Sequence, residues 1–307
     1  MTDPNQTPVP TGKQSGNSVY FGDNLPVLQS LPDACVDLIY IDPPFNTGRE
    51  QSRTAIQTIR SENGEGDRTG FAGKRYSTVK LGTKGYGDSF DDYLAFLEPR
   101  LREARRVLAQ HGTLYFHIDY REVHYCKVLL DTIFGRESFL NEVIWAYDYG
   151  GRTRRKWPAK HDNILVYVKD PSNYTFNADA VDRIPYMAPG LVGPEKARRG
   201  KLPTDTWFLT IVPTNSREKT GYPTQKPVRV LKRIIAASSN PGDVVLDFFA
   251  GSGTTGQVCL NLGRRFILVD NNEQALQVMA RRFAGVADIE WVGYNAREGH
   301  QDEDAGT

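Results

Sequence analysis

The chain has 307 residues, a net charge of +1 from 38 Lys and Arg against 37 Asp and Glu, and 39% hydrophobic residues. That is enough for one sizeable core or a core with a smaller lobe, and it excludes a uniformly basic protein while permitting local basic surfaces. Cys35, Cys126 and Cys259 lack metal-ligand spacing, no apolar stretch approaches the ~20 residues that span a bilayer, and the polar start is no signal sequence, so the expectation is a cytoplasmic protein with reduced thiols, no metal and no membrane.

Residues 1–18 and 298–307 read as disordered tails. Residues 19–21 and 36–41 read as buried strands with an amphipathic helix over 24–31 between them. After Asn46-Thr47-Gly48 the pattern collapses: 49–88 is rich in Gly, Ser and Thr with basic side chains scattered from Arg49 to Lys84, which predicts a flexible, structureless insertion. Phe96, Leu97, Leu101, Ala104, Val107 and Leu108 then space out an amphipathic helix closed by His111-Gly112. A strand over 113–118, a helix over 122–134 stopped by Gly135, and strands at 140–145 and 163–168 follow. Strands alternating with helices predict an α/β fold with a doubly wound, mostly parallel sheet.

From 150 to 220 the chain turns irregular, basic and proline-punctuated, with Arg152, Arg154, Arg155, Lys156, Arg198 and Arg199 interleaved with Trp157, Tyr186 and Trp207. This reads as an inserted lobe suited to phosphate contact with aromatic support. The α/β pattern resumes with helices over 227–238, 254–262 and 273–283 and strands at 244–247 and 266–270.

Two motifs carry chemistry. Asp42-Pro43-Pro44-Phe45 ends the strand at 36–41. The prolines fix φ near −65° and remove two backbone donors, leaving carbonyls without a sheet partner. An exocyclic base amine could give one hydrogen to Asp42 and the other to the Pro43 carbonyl while its ring stacks on Phe45. A plain Pro-Pro turn fits the tetrapeptide alone equally well. The second motif runs from Val244 through Asp247, Phe249, Gly251, Gly253 and Thr254 to Gly256, a strand, a glycine turn and a helix start. Its glycine spacing also satisfies the dinucleotide fingerprint, with Asp270 and Asn271 at the next strand end. Asp247 would repel a pyrophosphate but suits the ammonium or water network of an amino-acid head group, which favours S-adenosyl-L-methionine over NAD.

Gly22-Asp23, Asp42-Pro43-Pro44-Phe45-Asn46-Thr47-Gly48, Pro223-Thr224-Gln225-Lys226-Pro227 and Asp247 to Thr255 resemble, in this order, the signature blocks of the β-class DNA amino-methyltransferases. His117-Ile118-Asp119 and the segment from Asp131 to Glu142 are similar to modification subunits of type III restriction systems. The resemblance implies a Rossmann-like methyltransferase sheet with circularly permuted motif order. It divides the chain into a catalytic half over 19–149 carrying the insertion 49–88, a target-recognition lobe over 150–220, and a cofactor half over 221–297. It implies that Asp23 meets the cofactor's adenine, Asp270 its ribose, and Phe249, Gly251 and Gly253 its methionine end, closed by Thr224, Gln225 and Lys226. Asp23 and Asp270 also fit plain helix caps, and Lys226 a solvated charge. Asp119-Tyr120 departs from relatives with two carboxylates there, so no catalytic role is assigned to it.

The implied reaction is methyl transfer to the N6 amine of adenine in double-stranded DNA, with the base flipped out and held by Asp42, Pro43, Pro44 and Phe45. Cytosine N4 is the near alternative. An NAD-dependent oxidoreductase, a silent DNA-binding module, and a methyltransferase of RNA or protein are the more distant ones. A homodimer and a restriction subunit are partners the resemblance allows without requiring, in a cytoplasmic, nucleoid-associated enzyme.

Overall fold

The computed structural model describes residues 16–46, 90, 92–213 and 215–296, together with the backbone of 49–60, 68–69 and 75–88. The chain opens with β1 (Asn17–Phe21), α1 (Asn24–Ser30) and β2 (Val36–Ile41), and continues with β3 (Arg49–Arg60), β4 (Arg68–Thr69) and β5 (Arg75–Asp88). Next come α2 (Tyr93–Val107), β6 (Leu108–Ile118), α3 (Val123–Phe134), β7 (Phe139–Ala146), β8 (His161–Val168), α4 (Pro194–Arg199) and β9 (Thr206–Phe208). The last part is α5 (Val228–Ser238), β10 (Val244–Asp247), α6 (Thr254–Leu262), β11 (Arg265–Asp270), α7 (Glu273–Arg282) and β12 (Ile289–Val292).

Nine strands form one sheet in the order β12-β1-β11-β10-β2-β6-β8-β7-β9. The first six run parallel, β8 is antiparallel to both of its neighbours, and β9 is parallel to β7. β2, β6 and β10 are nearly continuous apolar runs, as strands covered on both faces must be. Leu38 and Tyr40 of β2 pack with Val230, Leu231 and Ile234 of α5, Val258 of α6 and Leu276 and Met279 of α7 in one core. Ile39 and Ile41, pointing the other way, are also fully buried, and α1, α2 and α3 pack against one another. The layers are thus helix, sheet, helix. Helix boundaries follow local chemistry: Asp92 caps α2 by accepting from Ala95 N, and Asn272 caps α7 by accepting from Gln274 N.

Residues 46–91 form a separate compact unit. Within it β3 pairs antiparallel with β5 from Arg49 opposite Asp88 to Arg60 opposite Tyr76, and β5 pairs with β4. The insertion predicted over 49–88 to be structureless therefore contains three strands. Its alternating polar and β-branched residues, such as Thr54, Ile56, Thr58 and Thr78, give a ladder of backbone bonds without the apolar stripe that marks a strand in sequence.

Two more boundaries move. Asn17 and Ser18 belong to β1 rather than to a tail, Ser18 being buried and the Asn17 side chain accepting from Phe266 N. The remainder of that tail before Gly16, and residues 298–307, lie outside the described residues. The segment 150–220 is not set apart from the sheet: β8 and β9, both within it, are strands of the nine, and the run Asn163 to Val168 is buried throughout. Among the described residues no helix is long and apolar enough to cross a membrane.

Candidate active site

β2 and β10 lie side by side, Leu38 opposite Val245 and Ile39 opposite Leu246, so the residues after each emerge at one edge of the sheet. The chain leaves β10 through α6 to β11 on one side, while β2 is followed in the sheet by β6 on the other. Such a reversal of winding leaves a crevice beyond the strand ends. The acidic proline corner and the glycine turn share it.

At the corner, the Asp42 side chain is 16% exposed and pairs through Oδ2 with the Lys226 ammonium, 184 positions away in sequence. Its Oδ1 is buried and accepts no hydrogen bond among the described residues. The Lys226 ammonium lies 5.2 Å from the Phe45 ring centroid, a cation on an aromatic face. The Tyr93 hydroxyl donates to the Pro44 carbonyl at 2.6 Å, a side-chain partner rather than a sheet one, so that carbonyl is occupied. A long side chain from α2 supplies this bond, and nothing in the tetrapeptide announces it.

Behind the corner is a network that the sequence reading missed. His117 is fully buried, with Nδ1 2.9 Å from the Tyr40 hydroxyl and 3.9 Å from Asp42 Oδ1, and Nε2 3.2 Å from Asp162 Oδ2. The Tyr147 hydroxyl donates to Asp162 Oδ1 at 3.2 Å. The rings of Phe45 and Trp145 lie 5.9 and 5.6 Å from His117. Burial works to raise the Asp162 carboxyl, but the His117 hydrogen bond, the Lys226 charge and the Tyr147 hydrogen bond outweigh it and hold it below its ordinary range. Burial, reinforced by the charges of Asp42, Asp247 and Asp162, pushes the Tyr40 hydroxyl upward and keeps it protonated. A histidine inside the apolar run Leu114 to Ile118 was the available signal.

In the glycine turn, Gly251 and Gly253 adopt φ of +50° and +70°, the left-handed region that glycine enters without strain. A Cβ at Gly251 would lie 3.2 Å from the Tyr222 ring, so the 220–227 loop closes on this turn. Asp247 is 2% exposed and folds back on its own turn, accepting from Thr255 Oγ1 at 2.5 Å and Phe249 N at 3.1 Å. Burial pushes its carboxyl up to about 7, the Thr255 and Phe249 hydrogen bonds oppose this, and the charges of Asp42 and Asp270 add to the rise. Asp270, pushed up to about 6 by burial, accepts from Gly251 N at 2.7 Å and Asn272 N at 2.8 Å, tying the turn to the end of β11. Asn271 beside it is exposed, and Thr254 is buried with its hydroxyl 3.0 Å from Ser252 Oγ.

The remaining predicted residues divide. Asp23 caps α1 through Leu25 N and pairs with Arg100 at 2.8 Å, and the next residue, Asn24, donates to the Phe248 carbonyl just after β10 at 2.7 Å. Phe249 lies 6.3 Å from Phe96. Gln225 holds its own loop, accepting from Thr220 N and donating to the Glu218 carbonyl, and Thr224 sits at φ +58°. Arg152, Arg154, Arg155 and Lys156 are exposed beside Trp157, which is 95% exposed, with Arg152 paired to Asp148, and Arg198 and Arg199 are exposed on α4.

The N6_N4_Mtase family, described as DNA methylase, matches residues 36–281. The type II methyltransferase M.HpaI of Haemophilus parainfluenzae is 31% identical over 269 residues, covering 88% of this chain and 73% of its own length. The DNA adenine methyltransferase YhdJ of Escherichia coli K12 is 32% identical over 278 residues, covering 86% and 82%. Two solved structures share the fold: an M1.HpyAVI–SAM complex, with a TM-score of 0.55 at 21% identity over 87% of this chain and 98% of that one, and the cytosine-N4-specific PvuII methyltransferase, with 0.60 at 14% identity over 92% and 90%. The crevice, its glycine turn and these likenesses agree, and the chain belongs to the N6/N4 family as an S-adenosyl-L-methionine-dependent DNA methyltransferase.

Proposed function

We propose that the enzyme methylates the N6 amine of adenine in duplex DNA, with the target base flipped into the crevice beside Asp42. The observation that carries this is the Asp42 side chain next to the glycine turn, nearly buried, paired with the Lys226 ammonium and with one oxygen lacking a donor among the described residues. Both curated relatives described above match most of the chain, and YhdJ is named for adenine. They carry type II and adenine methyltransferase names rather than type III ones.

The crevice suits the methyl donor. Asp42, Asp247 and Asp270 crowd negative charge at one strand edge, enough that the first and last add to the rise of the middle one. A ligand with a cationic sulfur and an ammonium relieves that repulsion. When bound, S-adenosyl-L-methionine supplies an electrophilic methyl group. We assign Asp270 and Asn271 to its ribose, Asp23 to its adenine, Asp247, Phe249, Gly251, Gly253 and Thr254 to its methionine end, and Thr224, Gln225 and Lys226 to the closing loop.

The protein's part is positioning and electrostatics. The exocyclic amine is a poor nucleophile because its lone pair is delocalised into the ring. Accepting its hydrogens at Asp42 and the Pro43 carbonyl holds it toward tetrahedral geometry and aims the lone pair at the methyl group. Phe45 replaces the lost base stacking. Lys226 and the amine are both donors to Asp42, and with the ammonium on Oδ2 the carboxylate keeps acceptor sites for the amine. Arg152, Arg154, Arg155, Lys156, Arg198 and Arg199 hold phosphates outside the crevice.

Mass spectrometry of nucleosides from PCR-amplified genomic DNA treated with the enzyme and cofactor tests the base. N6-methyladenine is the expected product. N4-methylcytosine in its place would transfer the same clamp to cytosine, the reading that the fold shared with the cytosine-N4-specific PvuII enzyme keeps in view.

A further inference from the structure

A buried carboxylate oxygen with no donor calls for an explanation in a folded protein, because nearly all such atoms are satisfied. Asp42 Oδ1 is one, although a ring nitrogen stands only 3.9 Å away, on His117. At that distance the nitrogen is beyond hydrogen-bond reach, and the network behind the corner leaves it no hydrogen with which to close the gap. Asp162 is charged and can only accept, so Nε2 of His117, 3.2 Å from it, carries the hydrogen. In the neutral ring Nδ1 is then a bare lone pair, and the Tyr40 hydroxyl, 2.9 Å away and kept protonated by its burial, donates to it. Nδ1 has no hydrogen to offer Asp42.

We infer that His117 is a positioning residue for methyl transfer: Asp162 fixes its tautomer so that no hydrogen reaches Asp42 Oδ1, leaving the carboxylate's acceptor capacity for the target amine. The inference rests on the proposed role of Asp42. It accounts for a hydrogen-bonded pair behind the corner, His117 fully buried and the Asp162 side chain 12% exposed. The groups facing His117 are Tyr40 and Asp42 from β2 and the residue after it, Asp162 from β8, and the rings of Phe45 and Trp145. Tyr147 reaches the ring only through Asp162, and Lys226 acts on Asp162 through its charge.

Replacing Asp162 by Asn inverts the arrangement. The amide can donate to Nε2, which moves the ring hydrogen to Nδ1 and turns it toward Asp42, much as an Asp→Asn change behind a catalytic histidine imposes the wrong tautomer elsewhere. The Nδ1 hydrogen then stands between the Tyr40 oxygen at 2.9 Å and Asp42 Oδ1 at 3.9 Å, and its positive end, facing the carboxylate, weakens Asp42 as an acceptor for the amine.

The test combines ¹⁵N spectra of the cofactor-free enzyme labelled at histidine with steady-state kinetics on PCR-amplified genomic DNA. The His117 signal is assigned by its loss in His117→Gln. The expected wild-type spectrum has His117 neutral with the hydrogen on Nε2. In Asp162→Asn the hydrogen moves to Nδ1, and kcat falls about 30- to 100-fold while KM for DNA and for cofactor stays within about threefold. Tyr147→Phe leaves the tautomer in place and kcat within about threefold. An Nδ1–H tautomer or a doubly protonated ring in the wild type overturns the inference even if Asp162→Asn does not fold. So does an Asp162→Asn enzyme with shifted tautomer and unchanged kcat. Asp42→Asn, assayed in parallel, separates the two levels: activity retained there sinks the role of Asp42, whereas activity lost there and kept in Asp162→Asn sinks only the role of His117.

Discussion

Asp247 offers a stability test of the crevice's charge crowding. Its carboxyl is raised by burial from 3.8 to about 7, so between those values the folded protein holds a proton that the unfolded chain releases. Stability therefore falls as pH rises from about 4 to about 7, and levels off above. At 1.36 kcal/mol per unit, a rise of roughly 3 units sets an upper bound of about 4 kcal/mol on the loss. Asn at 247 keeps the shape and the bonds, its oxygen accepting from Phe249 N and its amide donating to Thr255 Oγ1, without the charge. Asp270, pushed to about 6, titrates in both proteins, and its repulsion with Asp247 is relieved in the variant, which adds to the difference above pH 6. Urea unfolding of wild type and Asp247→Asn from pH 4 to pH 9, without cofactor, should give similar stabilities at pH 4 and a variant more stable by 2–4 kcal/mol at pH 8, about 1 M in urea midpoint. Cationic cofactor favours the ionised carboxylate, so its affinity for the wild type should rise with pH through about 7 and stay flat in the variant. A stability difference independent of pH would refute the reasoning.

Other perturbations probe other parts. Lys226→Met leaves the nearly buried Asp42 without its cation and should cost about 3 kcal/mol in urea unfolding; a loss under 0.5 kcal/mol would mean that the pair does not persist in solution. Gly253→Ala places a Cβ 2.6 Å from Met279 Cγ at φ +70°, and should destabilise by about 2 kcal/mol and weaken cofactor binding measured by calorimetry. Unchanged melting and affinity would contradict that turn geometry. Replacing Arg154, Arg155 and Lys156 together by Ala should lower the salt dependence of DNA affinity by up to about 3 in log–log slope, at about 0.9 per phosphate contact, and an unchanged slope would remove this cluster from the interface.

Five of the six parallel strands, β1, β2, β6, β10 and β11, were legible because they are apolar runs between helices. The sequence expectation for 244–247, 254–262 and 36–41 matches β10, α6 and β2 to the residue. β9 and β12 were not legible, since three or four residues such as Thr206–Phe208 carry no period long enough to count, and they become strands only against a neighbour already in place. The site divides the same way. Residues in contiguous motifs, Asp42 and the glycine turn among them, were found from type and spacing. His117, Asp162, Tyr40 and Tyr147 were not, because they come from β2, β6, β8 and the end of β7 and meet only across the sheet. Lys226 was found as part of the closing loop, but its pairing with Asp42, 184 positions away, was not, because a motif names a residue without naming what lies across the fold from it.

The central claim is that the carboxylate after β2 holds the amine while the turn after β10 holds the methyl donor. It is tested most directly by Asp42→Ala in a single-turnover methylation assay on PCR-amplified genomic DNA, alongside calorimetry of S-adenosyl-L-methionine binding. The account predicts a rate loss of at least about 10³-fold with cofactor affinity within about threefold. Methylation at a near wild-type rate would contradict it.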